Sequence, residues 1–387
     1  MLKEICQKIL AQNSYLNYFV YKYLSKNDTD NMQKFVDRFY NEDYMDNIDS
    51  IRSFRETIAN NKLNYITRDI TWNNAHIYGI WQAIFGDYVD KKDYYKSPAI
   101  EHGLIFHNEV YRDVLYTARM TCCTFSKFRK NIIHSKVNMP VFCVGSYIAY
   151  AKSFYDQDKI SCLKNKFGSI LLVFPTHSTD SSDITVNQRK FLDNIKKLAL
   201  GYDTVFINSF WWNINDPLIK ILESEGYKIL TCGFRDDINF LPRLKAYLSL
   251  ADLVVGDSIG THVGYCLACN VPFCYMPSET KVQLKLKEEL KDIEFVNYHQ
   301  SKIAKEFLYT TKITDTQKDI CNYYWGNNDI KTFNQIKTIL QINNDILQNS
   351  HGLSFFRKIA AEKLLKKYEK EGEDNKMEML LKAVRWK

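Results

Sequence analysis

Between residues 169 and 275, short and wholly apolar runs alternate with helix-like stretches, and this alternation limits the fold more than any other feature. Ser169-Ile-Leu-Leu-Val-Phe-Pro175 has no polar position at which a strand could face water. Such a strand is buried on both faces, as in a parallel sheet covered by helices. Asp203 to Asn208, Lys228 to Cys232, Leu253 to Gly256 and Val271 to Tyr275 repeat the pattern. Helices are expected between them, at about 187–200, 217–225, 241–250 and 262–269. Strand–helix alternation with apolar strands predicts a doubly wound domain.

The first part of the chain reads differently. Ile5, Ile9, Leu10, Leu16, Phe19, Val20 and Leu24 recur at near-helical spacing. A polar break follows at Asn27 to Asn31, then helical periodicity from Met32 to Tyr44 and again from Trp72 to Gly86. Short strands are expected at 97–106, 122–125 and 140–145. Lys159 to Gly168 is polar and lysine-containing and reads as a linker. From Ile303 onward the chain is mostly helical. The expected fold is α/β, with two Rossmann-like doubly wound domains and helical segments at both ends. The expected divisions are an acceptor-binding domain over 1–160, a nucleotide-sugar-binding domain over 166–345 and a helical tail over 346–387.

Composition narrows the classes. The 387 residues are 45% apolar and 25% charged, which supports a large core and excludes global disorder. Lys and Arg exceed Asp and Glu by 52 to 45, a net charge of +7. This mild excess suits small anions or a membrane surface, and no nucleic-acid motif accompanies it. Ten cysteines without disulfide-like spacing point to a reducing compartment. Neither an export signal nor a run of about 18 apolar residues is evident, so a cytoplasmic protein is expected. Residues 354–370 set Arg357, Lys358, Lys363, Lys366, Lys367 and Lys370 against Glu362 and Glu369, with Phe355, Phe356, Ile359, Leu364 and Leu365 as an apolar stripe. They read either as a solvated terminal helix or as a basic amphipathic helix touching the inner face of the cytoplasmic membrane.

Four segments carry chemistry. In Gly256-Asp-Ser-Ile-Gly-Thr-His262 a buried strand enters a tight turn that opens a helix. Unpaired amides and the helix dipole favour an anion there. Gly260 leaves room for a phosphate, and Ser258, Thr261 and His262 add donors; the same residues would also serve as an ordinary helix start. Phe174-Pro-Thr-His-Ser-Thr179 follows the first strand of the second domain, where ligand crevices form, and nominates His177, Ser178 and Thr179. Gly233-Phe-Arg-Asp-Asp237 offers Arg235 to a phosphate or, equally, to a neighbouring Asp; Arg243 adds to that charge. Ile100-Glu-His-Gly103 sets a carboxylate beside an imidazole on a glycine turn, suited to general-base work by Glu101 or His102. No Walker loop or G-x-G-x-x-G occurs. Cys266-x-x-Cys269 lacks a second ligand pair for zinc, and Asp28-Thr-Asp30 and Asp156-Gln-Asp158 follow no apolar strand.

Together, Arg243 to Asp252, Asp257 to Tyr265, the Glu101-His-Gly turn and Val144-Gly-Ser-Tyr-Ile-Ala-Tyr150 resemble GT-B glycosyltransferases of bacterial capsule and lipopolysaccharide synthesis. Within that superfamily the chain is distantly similar to sialyl- and Kdo-transferases. The resemblance implies Glu101 or His102 as base, His177 at the donor phosphate, and Ser258 and Thr261 at the donor. It departs from those families in pairing Glu101 with His102 rather than a second acid, and in having Ser178 after His177 rather than proline. The implied reaction is metal-independent transfer of a sugar from a nucleotide-activated donor to a hydroxyl of a surface glycan or lipid-linked glycan. No cofactor is expected beyond that donor, and no nucleic-acid partner. Alternatives on the same residues are a teichoic-type polyol-phosphate transferase, a nucleotide-sugar epimerase and a non-catalytic glycan-binding protein.

Overall fold

A computed structural model describes residues 9–24, 41–61, 74–177, 182–284 and 292–384. The first part holds helices α1 (Ser14–Leu24), α2 (Ile48–Asn61) and α3 (Ile80–Phe85). Then come β1 (Ala99–Ile100), α4 (Arg112–Leu115), β2 (Cys122–Thr124), α5 (Lys127–Lys136), β3 (Val141–Cys143) and α6 (Gln157–Phe167). The second part runs β4 (Ile170–Phe174), β5 (Ser182–Val186), α7 (Gln188–Ala199), β6 (Thr204–Asn208), α8 (Pro217–Ser224) and β7 (Lys228–Leu230). It continues with α9 (Phe240–Leu250), β8 (Leu253–Gly256), α10 (Thr261–Ala268), β9 (Phe273–Tyr275) and β10 (Thr280–Leu284). Helices α11 (Ile293–Phe307), α12 (Asp315–Trp325), α13 (Phe333–Asn349), α14 (Arg357–Glu371) and α15 (Asp374–Ala383) close the chain.

The fold is α/β with parallel sheets. Five parallel strands lie in the order β7-β6-β4-β8-β9. This is the order of a doubly wound sheet, reversing direction between β4 and β8. Strand periodicity explains why every position is apolar. Leu171 and Val173 pack into one core with Phe191, Ile195 and Leu222, whereas Ile170 and Leu172 pack into another with Leu244, Leu248 and Val263. Successive side chains point to opposite faces, and helices bury both.

The first sheet is smaller than expected: three short parallel strands in sequential order, β1-β2-β3, with no order reversal among the described residues. The expected linker at 159–168 is instead helix α6. Asp156 caps it by accepting from the Lys159 amide at 2.8 Å, and the left-handed Gly168 ends it. The segment is polar because α6 is amphipathic, with Ile160 and Leu163 turned inward. The helix expected over 72–86 is described from residue 74, and only 80–85 is α-helical, since Tyr78 and Gly79 adopt positive φ. Periodicity cannot register that break. The periodic stretch expected at 32–44 lies outside the described residues up to residue 40, and 41–47 is turn. Strand β5 pairs antiparallel with β10 and was not expected.

The expected divisions also shift. The boundary at 345 falls inside α13, which packs on the first half: Thr121 donates to Asn343 at 2.8 Å. Arg357 of α14 donates to the Arg119 carbonyl at 2.7 Å. Conversely, Ile51 and Phe54 of α2 join the core on the far face of the five-stranded sheet. Tertiary burial, not sequence order, assigns these helices. The C-terminal half is fastened through α10. Trp325 donates to the Thr261 carbonyl at 3.1 Å and lies flat on Gly264, where a Cβ would sit 2.1 Å from the ring. Asn327 donates to the Gly264 carbonyl and accepts from Ser146 at 2.6 Å.

Gly264→Ala is therefore expected to displace Trp325 and cost about 1–3 kcal/mol of stability, the range for overpacking. A lowered urea midpoint with unchanged far-ultraviolet circular dichroism would be the signature.

Candidate functional site

The site is built at the carboxyl ends of β1, β4 and β8. In the five-stranded sheet the order reverses between β4 and β8, the place where ligand crevices form in doubly wound sheets. Both histidines singled out in the sequence lie on the loops that follow these two strands. His177, just past β4, stacks on Phe210 at 4.5 Å between ring centroids and donates to the Pro175 carbonyl. His262, in the first turn of α10, stacks on Phe174 at 5.5 Å and meets Phe273 edge-on at 5.3 Å. Its ring donates to the Ser258 carbonyl, while Nε2 has no hydrogen-bond partner. Burial holds both rings uncharged and lowers each pKa to about 4; for His262 the nearby His177 adds to the effect.

Asp257 ties the crevice floor together. It accepts from the Thr176 amide at 2.7 Å and from the Ser278 hydroxyl at 2.5 Å, so it joins the loops after β4, β8 and β9. Burial raises its pKa. Ser258 contributes its carbonyl to His262. Gly260 caps α10 in an extended conformation, with His262 Nδ1 at 3.3 Å from the position of an added Cβ. Ser178 and Thr179 lie outside the described residues.

The first sheet brings its turn to the same place. The Leu104 amide donates to Thr261 Oγ1 at 3.1 Å, and a Cβ on Gly103 would lie 3.6 Å from that oxygen. Thr261 thus accepts from one loop and keeps its own hydroxyl proton to donate. His102 stacks on Tyr111 at 4.4 Å. Its Nδ1 lies 3.9 Å from Oδ2 of the buried Asp113 and has no hydrogen-bond partner.

Glu101 departs from its expected role as base. Its side chain is fully buried and both oxygens are engaged, by Arg129 Nη2 at 2.5 Å, Arg129 Nε at 3.1 Å and the Thr124 hydroxyl at 2.7 Å. A carboxylate enclosed in this way holds structure and does not reach a substrate proton. Arg235 lies 3.7 Å from Asp236, and its carbonyl accepts from the Tyr78 amide. That is the ion-pair alternative rather than a phosphate ligand. Arg243 is fully buried, paired with Asp237 at 2.6 Å and lying over Tyr44, so it adds no charge to the crevice. The Val144 to Tyr150 motif also proves to be scaffolding, because Tyr147 donates to the Glu101 carbonyl at 2.7 Å and Tyr150 to the Val144 carbonyl at 2.6 Å.

Two contributors escaped the sequence reading. Asp257 stood inside the quoted turn, but only the fold shows the loops it joins. Asp113 lies 113 − 102 = 11 residues beyond His102 with no periodic link to it. Among the described residues no three His, Cys, Asp or Glu side chains converge as a metal site. Asp156 is a helix cap, and Asp28-Thr-Asp30 lies outside the described residues. A separate cavity of about 630 Å³ opens at the outer edge of β3, lined by Lys127, Asn131, Asn334, Gln335, Asn375 and Lys382 among others. It includes none of the residues singled out from the sequence. Neither a protein-family model nor a curated protein matches the chain.

Two predictions follow from the electrostatics. His177 and His262 ionise near 4 when folded and near the ordinary 6.5 when unfolded. Between those values the unfolded chain binds more protons, so stability is expected to fall as pH drops from about 6.5 to about 4. His177→Phe should flatten that part of a melting-temperature profile. Arg129→Met leaves Glu101 buried and uncompensated, and should cost about 3–5 kcal/mol in denaturant unfolding.

Proposed function

We propose that the protein is a glycosyltransferase of the GT-B kind. It moves a sugar from a nucleotide-activated donor to a hydroxyl of a bacterial surface glycan or lipid-linked glycan. The observation that carries the reading is the contact between Leu104, two residues after His102, and Thr261 at the N-terminus of α10. It ties the loop that carries His102 to a helix start at the topological switch point, where an anion is favoured. An enzyme that joins an acceptor hydroxyl to a phosphate-activated donor needs those two groups facing one another.

In the proposed reaction the acceptor oxygen attacks the anomeric carbon. A new carbon–oxygen bond forms and the bond to the donor phosphate breaks. His102 Nε2 takes the hydroxyl proton, while Nδ1–H turns to Asp113, which orients the ring and stabilises its charge. The departing nucleotide keeps the electron pair. The α10 amides, the Thr261 hydroxyl, His177 and His262 hold its phosphate. A neutral His262 with an unpartnered Nε2 can take up a proton as the dianion arrives, so charge is supplied where it develops.

A thermal-shift screen against CMP, UDP, GDP, CDP and dTDP tests the donor site, since a ligand of the native state raises the melting temperature. One nucleotide should shift it, and His262→Ala should remove the shift. No shift with any of the five would defeat the reading in favour of a glycan-binding protein. Once donor and acceptor are known, His102→Ala should cut kcat about 10²–10⁴-fold and leave the nucleotide shift intact. Asp113→Asn should lower kcat. Activity should survive EDTA. Phosphate retained in the product would instead favour the polyol-phosphate transferase, and donor turnover without acceptor the epimerase.

A further inference from the structure

The expected apolar stripe of the C-terminal helix is divided by the fold. Leu364 turns inward with Ala360, Ala361 and Tyr368, so α14 spends that face on the protein's own core. Phe355, Phe356 and Ile359 remain outside, with Phe355 at 58% exposure.

They do not stand alone. The turn before α14 lies beside the start of α1. Ser14 N donates to the Gly352 carbonyl, Ser354 N donates to the Gln12 carbonyl, and Asn13 bridges Leu353. Gly352 is left-handed and would drive a Cβ to 2.5 Å from the Tyr15 ring, so the two backbones meet closely. Helix α1 then turns Tyr15, Leu16, Phe19 and Tyr23 outward, Phe19 at 69% and Tyr23 at 80%, with Ile9 exposed just before it. Positions 15, 19 and 23 are four apart, so they share one face.

At about 150–250 Å² per aromatic side chain, the five exposed rings present on the order of 600 Å², before Ile9, Leu16 and Ile359 are added. The largest apolar patch of an ordinary monomer is roughly 300–600 Å². Its flank carries lysines interleaved with the exposed Glu362, Glu369 and Glu371 of α14. Ile359, Lys363, Lys366 and Lys370 follow one another at helical spacing on the outward side of α14, and all are exposed. An aromatic surface bordered by a lysine row matches the acyl–headgroup boundary of an anionic bilayer, with rings inserted and ammonium groups at lipid phosphates. Among the described residues no helix is long and apolar enough to cross a membrane.

We propose that α1 and the Phe355–Phe356 turn together form a docking surface for an anionic lipid bilayer. Aromatic side chains anchor it, and the α14 lysines select charge. The surface shares no residue with the crevice, so the proposal stands or falls apart from the donor site.

The test is co-sedimentation of the full chain with vesicles. Binding is expected to phosphatidylglycerol–phosphatidylcholine vesicles and to be much weaker to phosphatidylcholine alone. Phe19→Ser with Phe355→Ser should weaken it at least about tenfold. Lys363→Glu, Lys366→Glu and Lys370→Glu should each remove about fivefold and abolish the preference for anionic lipid. Any nucleotide-induced melting shift should persist in all these variants. The proposal is overturned if the chain binds neither vesicle, or binds both equally. A dimer in light scattering that Phe19→Ser dissociates would assign the surface to a second copy. A marked loss of melting temperature in the Phe19→Ser, Phe355→Ser variant would assign it to the chain's own core.

Discussion

One buried guanidinium sets the geometry on which the rest of the site depends. Arg129 is inaccessible to solvent, and its donors reach three points of one loop: the Glu101 carboxylate, the His107 carbonyl at 2.7 Å and the Glu109 carbonyl at 2.8 Å. A charge buried this deeply is tolerated only where nearly every donor is satisfied. The loop from 101 to 109 therefore has little freedom to rearrange without uncovering it. His102 and Leu104 ride on that loop, and Leu104 is the residue that meets Thr261. Had Glu101 been a solvent-facing base, nothing on its own strand would fix the turn.

The opposite wall is held by different means. Asp257 joins three loops of the second sheet, and Trp325 locks α10 from behind. Beside them lie two imidazoles stacked on aromatic neighbours and the first turn of α10. Arg235 and Arg243 are paired with Asp236 and Asp237.

The central sheet was legible in the sequence because burial on both faces leaves an unambiguous record. Strands β4, β6 and β8 lie within a residue of their apolar runs. The motifs after β4 and β8 were legible for the same reason, since topology puts loops at carboxyl ends. Roles within the motifs were less so. Glu101 and His102 are adjacent, yet one is buried against Arg129 and the other stacks on Tyr111, and adjacency cannot reveal which. Arg129 carried no signal, as its partner is 28 residues away. Strands β5 and β10 escaped notice because both are mixed polar segments whose pairing is long-range. Helices α13 and α14 were misassigned because helical periodicity reports which face is buried, never what buries it.

The core itself constrains how the site can work. One continuous apolar cluster runs from Ile100, Cys122 and Val141 of the first sheet through Tyr147 and Tyr265 to Leu172 and Val254 of the second. Ring contacts such as Phe125 to Tyr147 at 4.1 Å lie along it. Close-packed interiors resist shear, and opening this one would expose apolar surface over its whole length. The crossing segment Trp325 to Asn327 adds polar links to both halves. A large swing of one half against the other would break all of these at once.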